Sequence, residues 1–400
     1  MDKPWRERPD HRRWLRGEAD RLFRFYEANS LDAAGGFFTL DDAGAPMAAV
    51  TERPLHQTAR MAHCAAIGAL LGRPGASDLL DHAMDALWTR HRDAAHGGYF
   101  WSFDAEGPRE RSKLAYGHAF VLLAASSAKC AGHPDADRLI ADIAEVLNAR
   151  FWEARYGASA EEFGQDWTPF SDYRGQNANM HLTEALMAAY EATAEADFLA
   201  RAESIADLIL NRRARAADWR VPEHYHADWT VDGEYRGSDM FRPFGYTPGH
   251  ALEWTRLALQ LWALGGRRLA WLPEAAAGLF AQAVAQGWDA RGGLYYTLNY
   301  DAAPRVRDRL WWPICEGVGA AHFLGSGASE VWYRRFWDFA ARRLIDARHG
   351  GWHCQLDDDL SPIPGYFAGK PDIYHALQAC LIPLYGVEGS LTREIGAGAR

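Results

Sequence analysis

The feature that most constrains this chain is a turn that recurs along it. A Gly-Gly-aromatic signature appears as AAGGFFTLDDAG around Gly35, AHGGYFWSFDAEG around Gly97, RGGLYYTLNYD around Gly292 and RHGGWHCQLDDD around Gly350. Weaker versions follow Tyr156 (RYGASAEEFGQDW) and Trp219 (WRVPEHYHADW). Neighbouring copies lie about 60 to 70 residues apart, a period that denotes a repeat architecture. Paired glycines permit a tight turn, and the aromatic and polar residues after them suggest short hairpin-like loops.

Two kinds of amphipathic segment alternate between these turns. One is apolar, rich in small residues and carries a polar group near its start: Arg60, His118, His181, His250, Glu316 and His375 in successive repeats. The other is charged on one side, as in SDLLDHAMDALWTRH, ADRLIADIAEVLNARFW and DFLARAESIADLILNRR. Mostly apolar helices read as inner and the charged ones as outer. The predicted fold is therefore all-α, an (α/α)6 barrel of six helix pairs. An open superhelix is the alternative; the small repeat number and the lack of capping repeats favour closure. The reading is one domain over residues 1–390, with 391–400 (ending TREIGAGAR) a frayed tail.

Composition narrows the function. A formal net charge of −10 argues against nucleic acid, which calls for a basic face. Five scattered cysteines without a CxxC pair suit a reducing compartment. The charged N-terminus does not read as a signal peptide, and the apolar runs fall short of the ~20 residues of a membrane span. A cytoplasmic protein is expected, with neither membrane nor nucleic acid as partner. Seventeen tryptophans, sixteen tyrosines and eighteen phenylalanines would fill a helical core or stack on sugar rings. The outer helix faces leave room for a homodimer.

Parallel inner helices around one axis would bring their N-termini to one end of the barrel. Their polar residues would then share a pocket, where helix N-termini disfavour imidazolium and stabilise oxyanions. His181, His250 and His375 occupy equivalent places in three repeats; His56, His82, His91, His133 and His349 read as structural or surface. His181 with Glu184, and His250 with Glu253, are spaced as neighbours on one helix face. Each glutamate would orient its histidine, bind a sugar hydroxyl, or buttress the wall. Glu316 follows Trp311-Trp312-Pro313, a platform for a pyranose or ordinary core. Arg60 would bind sugar oxygens or form an ion pair across the barrel. There is no phosphate loop, HExxH motif or nucleophile elbow. Neither a metal nor any other cofactor is expected, although the two His-x-x-Glu pairs carry metal-ligand chemistry.

Four segments in order carry a family resemblance: GQNANMHLTEA (Gly175 to Ala185), YTPGHALEW (Tyr246 to Trp254), WWPICEG (Trp311 to Gly317) and KPDIYHALQA (Lys370 to Ala379). The sequence resembles the N-acylglucosamine 2-epimerase superfamily, in its aldose–ketose isomerase branch, along almost the whole chain. The resemblance implies an (α/α)6 barrel and cofactor-free chemistry on a monosaccharide. It implies His250 and His375 as the acid/base pair, with Arg60, Tyr116, Asn177, His181, Glu253, Trp312 and Glu316 lining the sugar site. The activity expected is interconversion of D-mannose and D-fructose, or of D-lyxose and D-xylulose, through a cis-enediolate. A sugar 2-epimerase is the alternative outcome. An inverting glycosidase on the same barrel, using Glu253 and Glu316, is a further one.

Overall fold

Nearly every residue of the apolar segments is buried, from Leu55 to Gly68 without a break in the first, which is what a helix walled in on all sides requires. The computed structural model describes residues 3–238 and 240–398. Its helices are α1 (Pro9–Glu27), α2 (Leu55–Leu70), α3 (Ala76–Ala86), α4 (Ala115–Cys130), α5 (Ala136–Val146), α6 (Gln176–Thr193) and α7 (Ala196–Ala206). They continue with α8 (Pro248–Leu264), α9 (Trp271–Gly287), α10 (Trp311–Leu324), α11 (Gly327–Phe339), α12 (Tyr374–Leu381) and α13 (Leu391–Gly398). The even-numbered helices α2 to α12 form the inner ring. Each packs on its neighbours, and α12 returns to α2. The odd-numbered helices α3 to α11 pack outside the inner helix they follow, while α1 covers α12. This is the closed (α/α)6 barrel expected.

Backbone hydrogen bonding closes the ring a second time, at the end where the inner helices begin. Each segment entering an inner helix bridges to the hairpin of the next repeat. Arg53 pairs with Phe103, Lys113 with Phe163, Arg174 with Tyr225 and Arg309 with Leu356. Tyr246 pairs with Leu298, and Lys370 returns to Leu40 in the first repeat. The loops are thus short antiparallel hairpins, and every inner helix starts from a fixed rim.

Ion pairs, three of them buried and two half-buried, reinforce that rim. An acid after each of five outer helices binds a cation just before the next inner helix: Asp32–Arg53 at 2.8 Å, Asp93–Lys113 at 2.9 Å, Glu153–Arg174 at 2.7 Å, Asp289–Arg309 at 3.2 Å and Asp346–Lys370 at 2.9 Å. In the four Gly-Gly repeats the same aspartate also accepts from the turn backbone, for example from Ala95 and His96 N–H at Asp93. The second glycine there cannot carry a side chain. At Gly98, with φ +70°, a Cβ would lie 2.8 Å from the Trp167 ring. Breaking a buried pair on one side costs about 3–5 kcal/mol, so the links at Lys113, Arg309 and Lys370 hold their helix starts in register.

Two features differ from the sequence reading. Outer helices α3, α5, α7 and α11 run on into wider π-helical turns, such as Leu87–His91 after α3. The tail expected to fray is helical over Leu391–Gly398, because Leu391, Thr392 and Ile395 bury a stripe against α2 and α4; its last two residues lie outside those described. No helix of the described residues is long and apolar enough to cross a membrane.

Candidate active site

The rim surrounds a pocket of about 390 Å³. Every inner helix contributes to its wall: Arg60 from α2, Tyr116 from α4, Asn177 and His181 from α6, His250 and Glu253 from α8, Trp311 and Trp312 from α10, and His375 from α12. Local sequence sets the starts of these helices. Pro248 stands in the first turn of α8, where its fixed φ suits a helix and its missing N–H loses nothing. At α12, the Asp372 carboxylate accepts the Tyr374 N–H at 2.9 Å, so His375 enters one residue inside the helix.

Of the polar residues singled out near the inner-helix starts, Glu316, His118 and Glu184 fall elsewhere. Glu316 lies behind His375 rather than on the wall, its Oε1 at 2.8 Å from His375 Nδ1. His118 is fully buried, with Nδ1 at 2.8 Å from the Leu114 carbonyl and Nε2 accepting the Tyr99 N–H at 3.0 Å. Two residues on a helix are about 200° apart, so Tyr116 faces the pocket and His118 turns into the wall.

The proposed i, i+3 pairing of His250 with Glu253 is also replaced. His250 Nδ1 meets Glu223 at 2.9 Å (Oε1) and 3.0 Å (Oε2). Glu223 comes from the weakly marked hairpin after Trp219, 27 residues away in sequence. Glu253, one turn deeper on α8, belongs to another cluster. Its Oε1 is 3.6 Å from His181 Nδ1, which is 3.9 Å from Glu184. Among the described residues, neither His181 Nδ1 nor Glu253 Oε1 has a hydrogen-bond partner. Beneath them Arg256 reaches Glu184 and Glu316 at 3.2 Å each, and Glu253 at 3.8 Å. Glu223 and Arg256 are the residues that spacing did not reveal.

Protonation follows from this layout. Burial lowers His375, partly offset by its bond to Glu316. Burial brings His181 down to about 4, against the opposing effect of Glu184. Burial and then the charge of Glu316 push Glu253 well above the usual carboxylate range. Burial would raise Glu184 and Glu316 too, but Arg256, with the histidines beside them, holds both below it. Tyr116 is raised to about 12 by burial, so it is a neutral donor; Arg60 donates to its hydroxyl at 2.8 Å. Arg60 also faces Asp372 at 3.4 Å, so the ion pair across the barrel and a pocket position are both realised.

Trp312 adjoins both acid/base candidates, its ring centroid 5.0 Å from His250 and 5.8 Å from His375. Met240, Phe241, Tyr296 and Phe367, none of them foreseen, complete the lining from the loops. The Phe241 ring packs 5.6 Å from Tyr116, its carbonyl accepts from Asn177 at 3.3 Å, and the Tyr296 hydroxyl donates to the Met240 carbonyl at 2.8 Å. These aromatic residues narrow the mouth above the histidines.

Among the described residues, His181, Glu184 and Glu253 form the one group whose ligand atoms gather closely enough for a metal ion, within 4.8 Å. Arg256 already supplies positive charge to the two carboxylates of that group, at 3.2 Å from Glu184 and 3.8 Å from Glu253.

A family model described as N-acylglucosamine 2-epimerase (GlcNAc 2-epimerase) matches residues 35–379. The chain belongs to the N-acylglucosamine 2-epimerase family. A relative from Thermobifida fusca, a D-mannose isomerase, is 43% identical across 97% of this chain and 97% of its own length. A crystal structure of a D-mannose isomerase superposes with a TM-score of 0.87 at 32% identity, covering 93% of this chain and 97% of that one. A cellobiose 2-epimerase from Spirochaeta thermophila DSM 6192 shares the fold, with a TM-score of 0.82 at 23% identity over 98% of each chain. The epimerase-family barrel is thus common to all of them, and the chemistry of this member has to be read from its own pocket.

Proposed function

We propose that this protein is an aldose–ketose isomerase that interconverts D-mannose and D-fructose. The observation carrying the reading is the pair of pocket-lining imidazoles against Trp312, each with Nδ1 on a buried carboxylate. The relatives that are D-mannose isomerases, at 43% identity along the whole chain, support the same sugar. A pocket walled by all six inner helices, with polar groups converging under an aromatic roof, suits one sugar ring.

The sugar stacks on Trp312. Glu253, carrying a proton, and His181 beside it assist ring opening by moving a proton between the anomeric hydroxyl and the ring oxygen. His375, neutral because it is buried, takes the proton from C2 of the open aldose. The electron pair forms the C1–C2 double bond of a cis-enediolate, and negative charge develops on oxygen. Arg60 and the helix N-termini stabilise that charge. His250 moves the proton between O1 and O2. Return of the His375 proton to C1 yields the ketose.

Incubation with D-mannose in heavy water tests the assignment. Fructose is the expected product, bearing deuterium at C1 wherever the proton on His375 exchanges with solvent before its return. Glucose labelled at C2 would make the protein a 2-epimerase, and cleavage of an oligosaccharide without either product would make it a glycosidase.

A further inference from the structure

Glu223 and Gln176 take no part in the steps above, yet they form a directional chain ending on His250. Trp254 Nε1, which can only donate, bonds to Gln176 Oε1 at 2.7 Å. The amide of Gln176 is thereby oriented, and its Nε2 donates to Glu223 Oε2 at 2.7 Å. Glu223 faces His250 Nδ1 through both oxygens, at 2.9 and 3.0 Å. Gln176 Nε2 is also 2.9 Å from His250 Nδ1, as two donors converging on one carboxylate would be. The alternative, Gln176 donating to an unprotonated Nδ1, would set a nitrogen lone pair against the carboxylate at hydrogen-bond distance. The chain is built into the fold. The strand Arg174–Gly175 pairs with His224–Tyr225, with Gly175 opposite His224, and the Gln176 N–H bonds to the Glu223 carbonyl at 3.1 Å. Trp254, Gln176 and Glu223 are at most 3% exposed.

We propose that Glu223 is a positioning residue: backed by Gln176 and Trp254, it fixes neutral His250 as the Nδ1–H tautomer and aims a lone pair at Nε2 into the pocket. This deepens, and for its kinetic consequence rests on, the isomerase reading. The other histidine is set differently, since Glu316 behind His375 is backed by the Arg256 cation at 3.2 Å. One dyad is held by a neutral amide chain, the other by a charge.

The first test is the ¹⁵N spectrum of histidine-labelled protein without sugar, with the His250 signals assigned by their loss in His250→Gln. Neutral His250 should show a protonated Nδ1 and an unprotonated Nε2. The reverse tautomer overturns the proposal, whatever the enzyme turns over. Failure of mannose conversion with the expected tautomer would count against the isomerase reading alone. In Glu223→Gln, kcat should fall about 10–100-fold, as for loss of a group that orients a histidine ligand or base. KM should change less than about threefold, because Glu223 does not line the pocket. Glu223→Asp should recover part of kcat. Trp254→Phe should cost less, and its loss should not multiply with that of Glu223→Gln, because both act through one tautomer. A kcat within twofold of the unchanged protein in folded Glu223→Gln, or fully multiplicative losses, would refute the chain. Should Glu223→Gln not fold, the spectrum of the unchanged protein still decides.

Discussion

Replacing Arg256 by methionine keeps most of the side-chain volume and removes the cation that faces Glu184, Glu253 and Glu316 in the floor of the pocket. At an effective dielectric constant near 20, each contact at roughly 4 Å between charge centres is worth about 4 kcal/mol gross. Two such contacts involve ionised carboxylates, Glu184 and Glu316. Part of the loss is recovered because a carboxylate stripped of its partner takes up a proton, at about 1.4 kcal/mol per pKa unit. A net loss of about 3–5 kcal/mol at pH 8 is expected, the range for breaking a buried ion pair on one side. Its pH dependence has a definite sign. With Arg256 present, Glu184 and Glu316 sit below their unfolded pKa. Their stabilisation is therefore full above the ordinary carboxylate pKa and is lost as pH falls through the depressed values. Without Arg256, burial raises both carboxylates, and the variant is relieved as pH falls toward the unfolded pKa. The stability gap should be widest at pH 8 and narrower at pH 5. Equilibrium urea unfolding at the two pH values measures it. A loss under about 1 kcal/mol at pH 8, or a gap that widens with acid, would refute the view that Arg256 neutralises this cluster.

Other perturbations separate the roles of single residues. His375→Ala should lower kcat by about 10²–10⁴-fold, the contribution of one positioned acid/base group, with thermal unfolding little changed; near-normal turnover would end its assignment. Because burial lowers His375, the acid limb of kcat/KM for mannose should lie below pH 6.5, and Glu316→Gln, which removes the opposing bond, should move it lower still. His118→Ala should lose about 1–3 kcal/mol of stability through the unpaired Tyr99 N–H and Leu114 carbonyl, yet keep kcat/KM within about twofold. Phe241→Ala should open the roof, lowering kcat/KM for mannose about tenfold, or ~1.4 kcal/mol; unaltered kinetics would mean that Phe241 does not hold the sugar.

Much of this protein is legible along the chain because helix burial and turn chemistry are local. An inner helix walled in on every side must be apolar all round, and a turn with φ +70° at Gly98 must be glycine, so repeat, barrel and inner ring can be read in order. The pocket residues Arg60, His181, His250, Glu253, Trp312 and His375 are legible too, since a common helix direction brings their ends together, while Tyr116 and Asn177 are legible only through the family resemblance. Which partner each side chain takes is another matter. Spacing paired His250 with Glu253, three residues away, whereas the barrel pairs it with Glu223 from the neighbouring hairpin. Spacing likewise put Glu316 on the sugar-facing wall, whereas packing sets it between His375 and Arg256, the latter 60 residues away. Periodicity tells which side of a helix is buried. How deep a side chain reaches, and what meets it there, depends on helices and hairpins that only ring closure brings within hydrogen-bonding distance.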